Sequence, residues 1–337
     1  MMVIFTVLIL LVMLENGFSN ASSAITGCVS ARSMSHEGAM RLAAVCTFLG
    51  SFAITRFDPR VTSIFFGIAD FGEERDTALV SLCSALCAVL LLSFLSHRIG
   101  FPTSDSHALV SGLTGAAMAN KMNISAINAH EWWLVILGFL LSTLPALTFG
   151  FVFNAFLQGF LSRILKISRR SAVRHFKRSQ KFSTAWNAML HGVQDCQKFT
   201  GVYMLGISLY SQKEMRGSGV PIYVLLLCTA ALTLGTTFGT SNVIKKVGFE
   251  LCELDAPSYS AASAAASAVV TLCTLIGIPA DILQSRACAI IGAGFSVKKR
   301  PNIRIASQIV LSWLLTFPAC MSVGFLLSCA AKIFLLR

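Results

Sequence analysis

Five stretches of this chain contain no Asp, Glu, Lys or Arg and are long enough to cross a bilayer: 77–97, 132–162, 217–244, 256–280 and 305–331. A helix needs about 20 apolar residues for that. Six more uncharged runs, 1–14, 42–55, 106–120, 182–194, 199–212 and 287–297, are too short to cross easily alone. Such runs serve as surface helices, as crossings with charged ends, or as re-entrant half-helices whose backbone ends are surrounded by protein or a water-filled cavity. Only 12% of the 337 residues are charged and mean hydropathy is +0.72, too little charge to cover a soluble protein of this size. An integral membrane protein follows. Met1–Leu14 lacks a basic leader and a small-residue cleavage site, so it reads as a first membrane segment, not a signal peptide.

The chain repeats itself. Gly17 and Asn20 pair with Gly192 and Asp195 at an offset of 175 residues, and Ile99-Gly100-Phe101-Pro102 pairs with Ile276-Gly277-Ile278-Pro279 at 177. Gly115 pairs with Gly292 at the same 177. Run 77–97 maps near 256–280 and run 132–162 near 305–331. Three parts are expected: a first membrane repeat 1–162, a basic linker 163–181 and a second membrane repeat 182–337.

Charge orients the halves. Arg163, Lys166, Arg169, Arg170, Arg174, Lys177, Arg178 and Lys181 crowd the linker without an acid, which places it in the cytoplasm. Run 132–162 then enters the cytoplasm at its C-terminal end. Lys298, Lys299, Arg300 and Arg304 put the start of 305–331 inside as well, so equivalent spans cross in opposite directions. Inverted repeats with short interrupted segments are a signature of secondary transporters, whose site lies near the midplane. A channel has less need of the duplication. No His-Glu-x-x-His, Gly-x-Ser-x-Gly or Walker motif is present, so an enzyme is not expected. Placed as it is, the excess of +12 reports topology, not nucleic-acid binding. The 11 Cys are scattered through apolar runs and imply neither disulfides nor a metal centre.

Three constellations could carry chemistry. Ionisable and polar groups inside apolar stretches are expensive and mark a pathway. Ser19, Asn20, Ser22 and Ser23, with Gln194, Asp195 and Gln197 in the second copy, offer hard oxygens suited to an alkali cation; the alternative is interhelical hydrogen bonding. His191 and Lys198 flank Asp195 and can pair with it. The run Gly100-Phe101-Pro102-Thr103-Ser104-Asp105-Ser106-His107 is a helix start with added hydroxyls, an arrangement that binds anions; the alternative is an ordinary capped surface helix. Its counterpart Pro279-Ala280-Asp281-Ile282-Leu283-Gln284-Ser285 is poorer in hydroxyls and could be a plain cap at Asp281. An asymmetric site is expected, with most anion donors from the first half.

These residues resemble the inorganic phosphate transporter (PiT) family. Its paired Gly-x-Asn-Asp signature is similar to Gly17-Phe18-Ser19-Asn20 and Gly192-Val193-Gln194-Asp195, and its hydroxyl-rich element to Gly100–Ala108. The resemblance implies two inverted repeats with re-entrant helical hairpins and uptake of inorganic phosphate coupled to sodium or protons across the plasma membrane. It also implies a homodimer. Carried over by position, Thr103, Ser104, Ser106, Gln284 and Ser285 would bind substrate. Ser19, Asn20, Ser23, Asp105, Gln194, Asp195 and Gln197 would serve coupling, with sodium at Asn20, Asp195 and Asp105; no other cofactor is expected. The chain departs from the pattern where one signature Asp is Asn20, where Asp105 and Asp281 replace Ser, and where Gln284 replaces His. Asp105 is expected to restore the lost carboxylate from the hairpin. A sulfate or other oxyanion permease, and a non-transporting sensor or scaffold on the same fold, are the alternatives.

Overall fold

Several apolar runs too short to cross a bilayer turn out to be parts of longer helices. In the computed structural model, which describes residues 1–30, 33–99, 104–163, 169–217, 219–239 and 250–335, run 1–14 continues through the polar motif as α1 (Met2–Ser30). Side chains are not described at 22, 23, 30, 97, 99, 161–163, 169–175, 177 and 335. Runs 182–194 and 199–212 join across Asp195–Lys198 into α7 (Arg169–Ser211). Between them come α2 (His36–Phe57), short α3 (Arg60–Phe66), α4 (Arg75–Ile99), α5 (Asp105–Lys121) and α6 (Ala129–Arg163). The second half continues with α8 (Ile222–Thr237), α9 (Ala256–Ile276), α10 (Ile282–Ser296) and α11 (Ile303–Leu335). No β-sheet occurs among the described residues, and the single isolated bridge pairs Ala69 with Ile127. From Arg169 onward the basic segment 163–181 is the first part of α7, a helix and not a loop.

Six of the described helices, α1, α2, α4, α6, α9 and α11, are long and apolar enough to cross a membrane. Among the described residues of run 217–244 the helix is α8. Gly217 is held at φ +74° and Pro221 caps the start, so α8 has 16 residues, about 24 Å at the helical rise. Helices α5 and α10 are short as well, with 17 and 15 residues, and each folds back as the second arm of a hairpin, on α4 and α9 respectively.

Packing repeats with the sequence. Helix α1 lies against α8 as α7 lies against α2, and α5 lies against α11 as α10 lies against α6. Eight glycines, four from each half, let these helices touch. Gly17 meets Leu232 O of α8 and Gly192 meets Thr47 O of α2; Gly50 meets Met189 O and Gly235 meets Leu14 O. Gly115 meets Met321 O and Gly292 meets Leu147 O; Gly150 meets Ala289 O and Gly324 meets Gly112 O. A Cβ at any of them would lie 1.9–2.6 Å from that carbonyl oxygen, which no side chain tolerates. Small residues that bring backbones together are what holds helices in lipid, where no hydrophobic force acts between them. Each contact has its mate in the other half, with glycine and carbonyl shifted by matching offsets. The fold is all-α, two inverted repeats with re-entrant helical hairpins. The long helices α6 and α11 also match in carrying an internal proline, Pro145 and Pro318, each of which removes one backbone hydrogen bond.

Candidate functional site

Helical periodicity selects which polar residues face inward. Positions i, i+3, i+4 and i+7 form one stripe, and on α1 that stripe is Asn16, Ser19, Asn20 and Ser23. On α7 the corresponding stripe is His191, Gln194, Asp195 and Lys198, all buried. Asn16, Ser19 and Asn20 of the first stripe, and the stripe on α7, face the two hairpins, whose helix starts meet between them.

The hairpin tips meet on the pseudo-twofold axis. Related residues touch one another only near a twofold, and two such pairs do so here. Ser104 Oγ donates to Asp281 Oδ2 at 2.8 Å, and Gln284 Nε2 lies 3.3 Å from His107 Nε2, each pair separated by 177 residues in sequence. Ser104 caps α5 through the His107 N–H, and Asp281 caps α10, its Oδ1 accepting from the Leu283 and Gln284 N–H groups at 2.9 and 3.2 Å. The imidazole of His107 stacks on Phe317, with ring centroids 4.2 Å apart, and meets Phe139 edge-on.

Two clusters flank this junction. In the first, Asp105 Oδ2 accepts from Asn16 Nδ2 at 3.0 Å, Ser19 Oγ at 3.0 Å and Asn20 Nδ2 at 2.9 Å. Asn16 Oδ1 is buried and accepts nothing from the described residues. In the second, Lys198 Nζ donates to Asp195 Oδ1 at 2.9 Å, to Ser106 Oγ at 2.8 Å on the first hairpin and to Ala280 O at 2.9 Å on the second. His191 Nδ1 lies 3.0 Å from the other Asp195 oxygen. One ammonium thereby ties α7 to both hairpins. Between them is a cavity of about 20 Å³, whose polar lining is Ser106, His107, Ser142, Lys198, Asp281 and Gln284. That is room for roughly one water.

The expected residues divide. Ser19, Asn20, Asp105, Ser104, Ser106, Asp195 and Gln284 converge on the junction. Gln194 supports it from beneath: its Oε1 accepts the Ala280 N–H at 3.0 Å and its Nε2 donates to Thr274 Oγ1 at 2.9 Å. Gln197 falls off the stripe and goes elsewhere, accepting the Val61 N–H at 3.1 Å and donating to Asp58 O at 2.9 Å. Ser285 is buried outside the cavity lining, its hydroxyl without a partner among the described residues. Thr103, and the side chain of Ser23, lie outside the described residues. Sequence reasoning passed over Asn16 and Ser142. It also passed over Arg286, which is 2% exposed and donates to Ala24 O of α1 at 3.3 Å. The stripe rule would have found Asn16, and a lone Arg between apolar runs was the visible sign of Arg286.

The chain is similar to known proteins over nearly its whole length. A probable low-affinity inorganic phosphate transporter of Bacillus subtilis is 27% identical over 329 residues, covering 96% of each chain. One from Rhizobium meliloti is 27% identical over 330 residues, covering 94% of this chain and 92% of its own. A solved structure described as the sodium-dependent phosphate transporter superposes with a TM-score of 0.82 at 19% identity, covering 99% of both chains. The sequence pattern of the phosphate transporter family matches residues 16–324, a span that takes in both polar stripes, both hairpins and the paired glycines. The chain belongs to the phosphate transporter family.

Proposed function

We propose that the protein takes up inorganic phosphate by alternating access, coupled to the entry of sodium, with the hairpin junction as its site. The observation that carries this is the charge at the junction. Three carboxylates, Asp105, Asp195 and Asp281, gather there with the ammonium of Lys198. An oxyanion added to that set needs further positive charge, and a co-transported cation supplies it. The Asp105 cluster fits sodium: a carboxylate, the Ser19 hydroxyl, the Asn20 amide and the unused Asn16 oxygen are hard ligands. Asp105 thus stands in for the carboxylate that Asn20 lacks.

The anion would take Lys198 and the Ser104 and Ser106 hydroxyls, with Gln284 beside them. The cavity is too small for a tetrahedral oxyanion as it stands, so loading requires the hairpins to part, and rocking of one repeat on the other supplies that motion. The repeats are related by a twofold, so opening toward one side has a twofold-related opening toward the other. The basic segment 163–181 faces the cytoplasm in this account, the membrane is the plasma membrane, and a homodimer is its assembly. The relatives named as phosphate transporters and the neighbour named as sodium-dependent support the same substrate and ion. The test is uptake of radiolabelled phosphate into proteoliposomes with sodium and proton gradients imposed separately. Accumulation driven by the sodium gradient is expected. Accumulation under the proton gradient alone would transfer coupling to a protonated carboxylate, and no uptake under either would remove the proposal.

A further inference from the structure

The second hairpin carries an anion of its own. At the start of α10, where free backbone N–H groups would favour a bound anion, Asp281 Oδ1 already accepts from Leu283 and Gln284. Its Oδ2 accepts the Ser104 hydroxyl. Both oxygens act as acceptors, and neither donates. The twofold mate of Asp281 is Ser104, which caps α5 with a neutral hydroxyl. A hydroxyl at 281 would serve the same cap without adding a charge, so capping alone does not call for a carboxylate.

Position makes that carboxylate consequential. Asp281 lines the same cavity as Lys198 and Ser106, and it takes part in none of the ion pairs among the described residues. A carboxylate oxygen has two lone-pair sites, and Oδ2 uses one on Ser104, leaving acceptor capacity. An oxyanion held by Lys198 and Ser106 therefore brings one oxygen toward an acceptor. If that oxygen bears hydrogen, it donates and the carboxylate is satisfied. If it does not, lone pair faces lone pair and charge faces charge.

We propose that Asp281 is the specificity-determining residue of the junction, admitting oxyanions that carry an O–H and rejecting those that carry none. This rests on the junction being the oxyanion site. Phosphate and arsenate keep at least one O–H near neutral pH, whereas sulfate keeps none, although all three are tetrahedral. Discrimination thus follows the proton and not the shape. Sites built around a substrate hydrogen bond reject analogues lacking it by as much as about 10⁴–10⁵-fold. With a single acceptor that already takes the Ser104 hydroxyl, roughly 100-fold is expected.

The experiment measures inhibition of labelled phosphate uptake by unlabelled arsenate and sulfate in proteoliposomes, for the wild type, Asp281→Asn and Asp281→Ser. Asn keeps the cap and the shape while replacing one acceptor by an amide donor, and Ser copies the mate; both side chains are good caps. The readout is the ratio of the sulfate Ki to the phosphate KM within each protein, which is independent of how much protein is active. The wild type should be inhibited by arsenate near the phosphate KM and by sulfate only at about 100-fold higher concentration. In at least one variant that retains uptake the sulfate ratio should fall 10-fold or more, with arsenate little changed. Sulfate inhibition of the wild type near the phosphate KM overturns the inference. So does an unchanged ratio in the variants, or loss of uptake in both with sulfate binding to the purified variants no tighter than to the wild type. Wild-type protein that takes up no phosphate would instead refute the underlying transport function, a result separate from any change in ratio.

Discussion

Replacing Lys198 by Met removes the cation that, among the described residues, holds both hairpins to α7. Its Nζ makes three hydrogen bonds of 2.8–2.9 Å, to Asp195, Ser106 and Ala280, and the residue is 1% exposed. The substitution strands the Asp195 carboxylate in the interior with His191 beside it. Breaking a buried pair by deleting one partner costs about 3–5 kcal/mol. At about 2 °C per kcal/mol for a chain of this length, the melting midpoint should fall by about 6–10 °C. Asp195→Asn alone leaves the ammonium with Ser106 and Ala280 and should cost less. The double variant buries neither charge, so it should be more stable than the sum of the singles by about 2 kcal/mol, or about 4 °C. Scanning fluorimetry in detergent, followed through the intrinsic tryptophans, measures all four proteins. Additivity of the two substitutions within about 0.5 kcal/mol would refute the bridge. A single-variant loss under about 1 kcal/mol would mean that water, and not Asp195, satisfies the ammonium.

Other consequences follow from other parts of the molecule. Asp105→Asn keeps the size of the side chain but removes the charge from the cation cluster. The sodium concentration for half-maximal uptake should rise roughly 10–100-fold, equivalent to about 1.4–2.8 kcal/mol, and an unchanged sodium dependence would exclude Asp105 from coupling. Gly115→Ala and Gly292→Ala place a methyl about 2 Å from Met321 O and Leu147 O; each should destabilise by about 1–3 kcal/mol or more, seen as loss of monodisperse protein on size exclusion. At the exposed turn before α3, the Arg60 guanidinium hydrogen-bonds Asp58 and holds its carboxyl below the usual range. Arg60 also donates to Leu275 O at the end of α9. A carboxyl with a lowered folded pKa stabilises above its unfolded value of about 3.9 and loses that contribution as pH falls through the folded one. The stability difference between wild type and Asp58→Asn should therefore be small, under about 1 kcal/mol for so exposed a pair, at pH 6, and should vanish as the pH falls through the lowered folded value.

The duplication was legible because glycine and proline spacings survive when side chains diverge: Gly17, Gly115 and their mates are fixed by backbone contact. The extents of α1 and α7 were not legible from uncharged runs. Glu15 ends the first run, and Asp195 and Lys198 divide the others, yet the latter two neutralise one another inside one continuous helix. Gln197 was grouped with its neighbours by sequence proximity, whereas a rotation of about 100° per residue points it at another element. The contacts Ser104–Asp281 and His107–Gln284 needed the axis itself: an offset identifies mates but not which mates touch. Asp281 was recognisable as a cap, and only its place at the cavity gave it a second role.

Whether phosphate and a cation cross together through the hairpin junction is the point on which the proposed function rests. Labelled sodium and labelled phosphate followed simultaneously in the same proteoliposomes measure this directly. Sodium entry that requires external phosphate, at a fixed ratio to phosphate entry and abolished or strongly right-shifted by Asp105→Asn, is the expected result. Phosphate accumulation with no accompanying sodium flux, or sodium flux indifferent to phosphate, would contradict it.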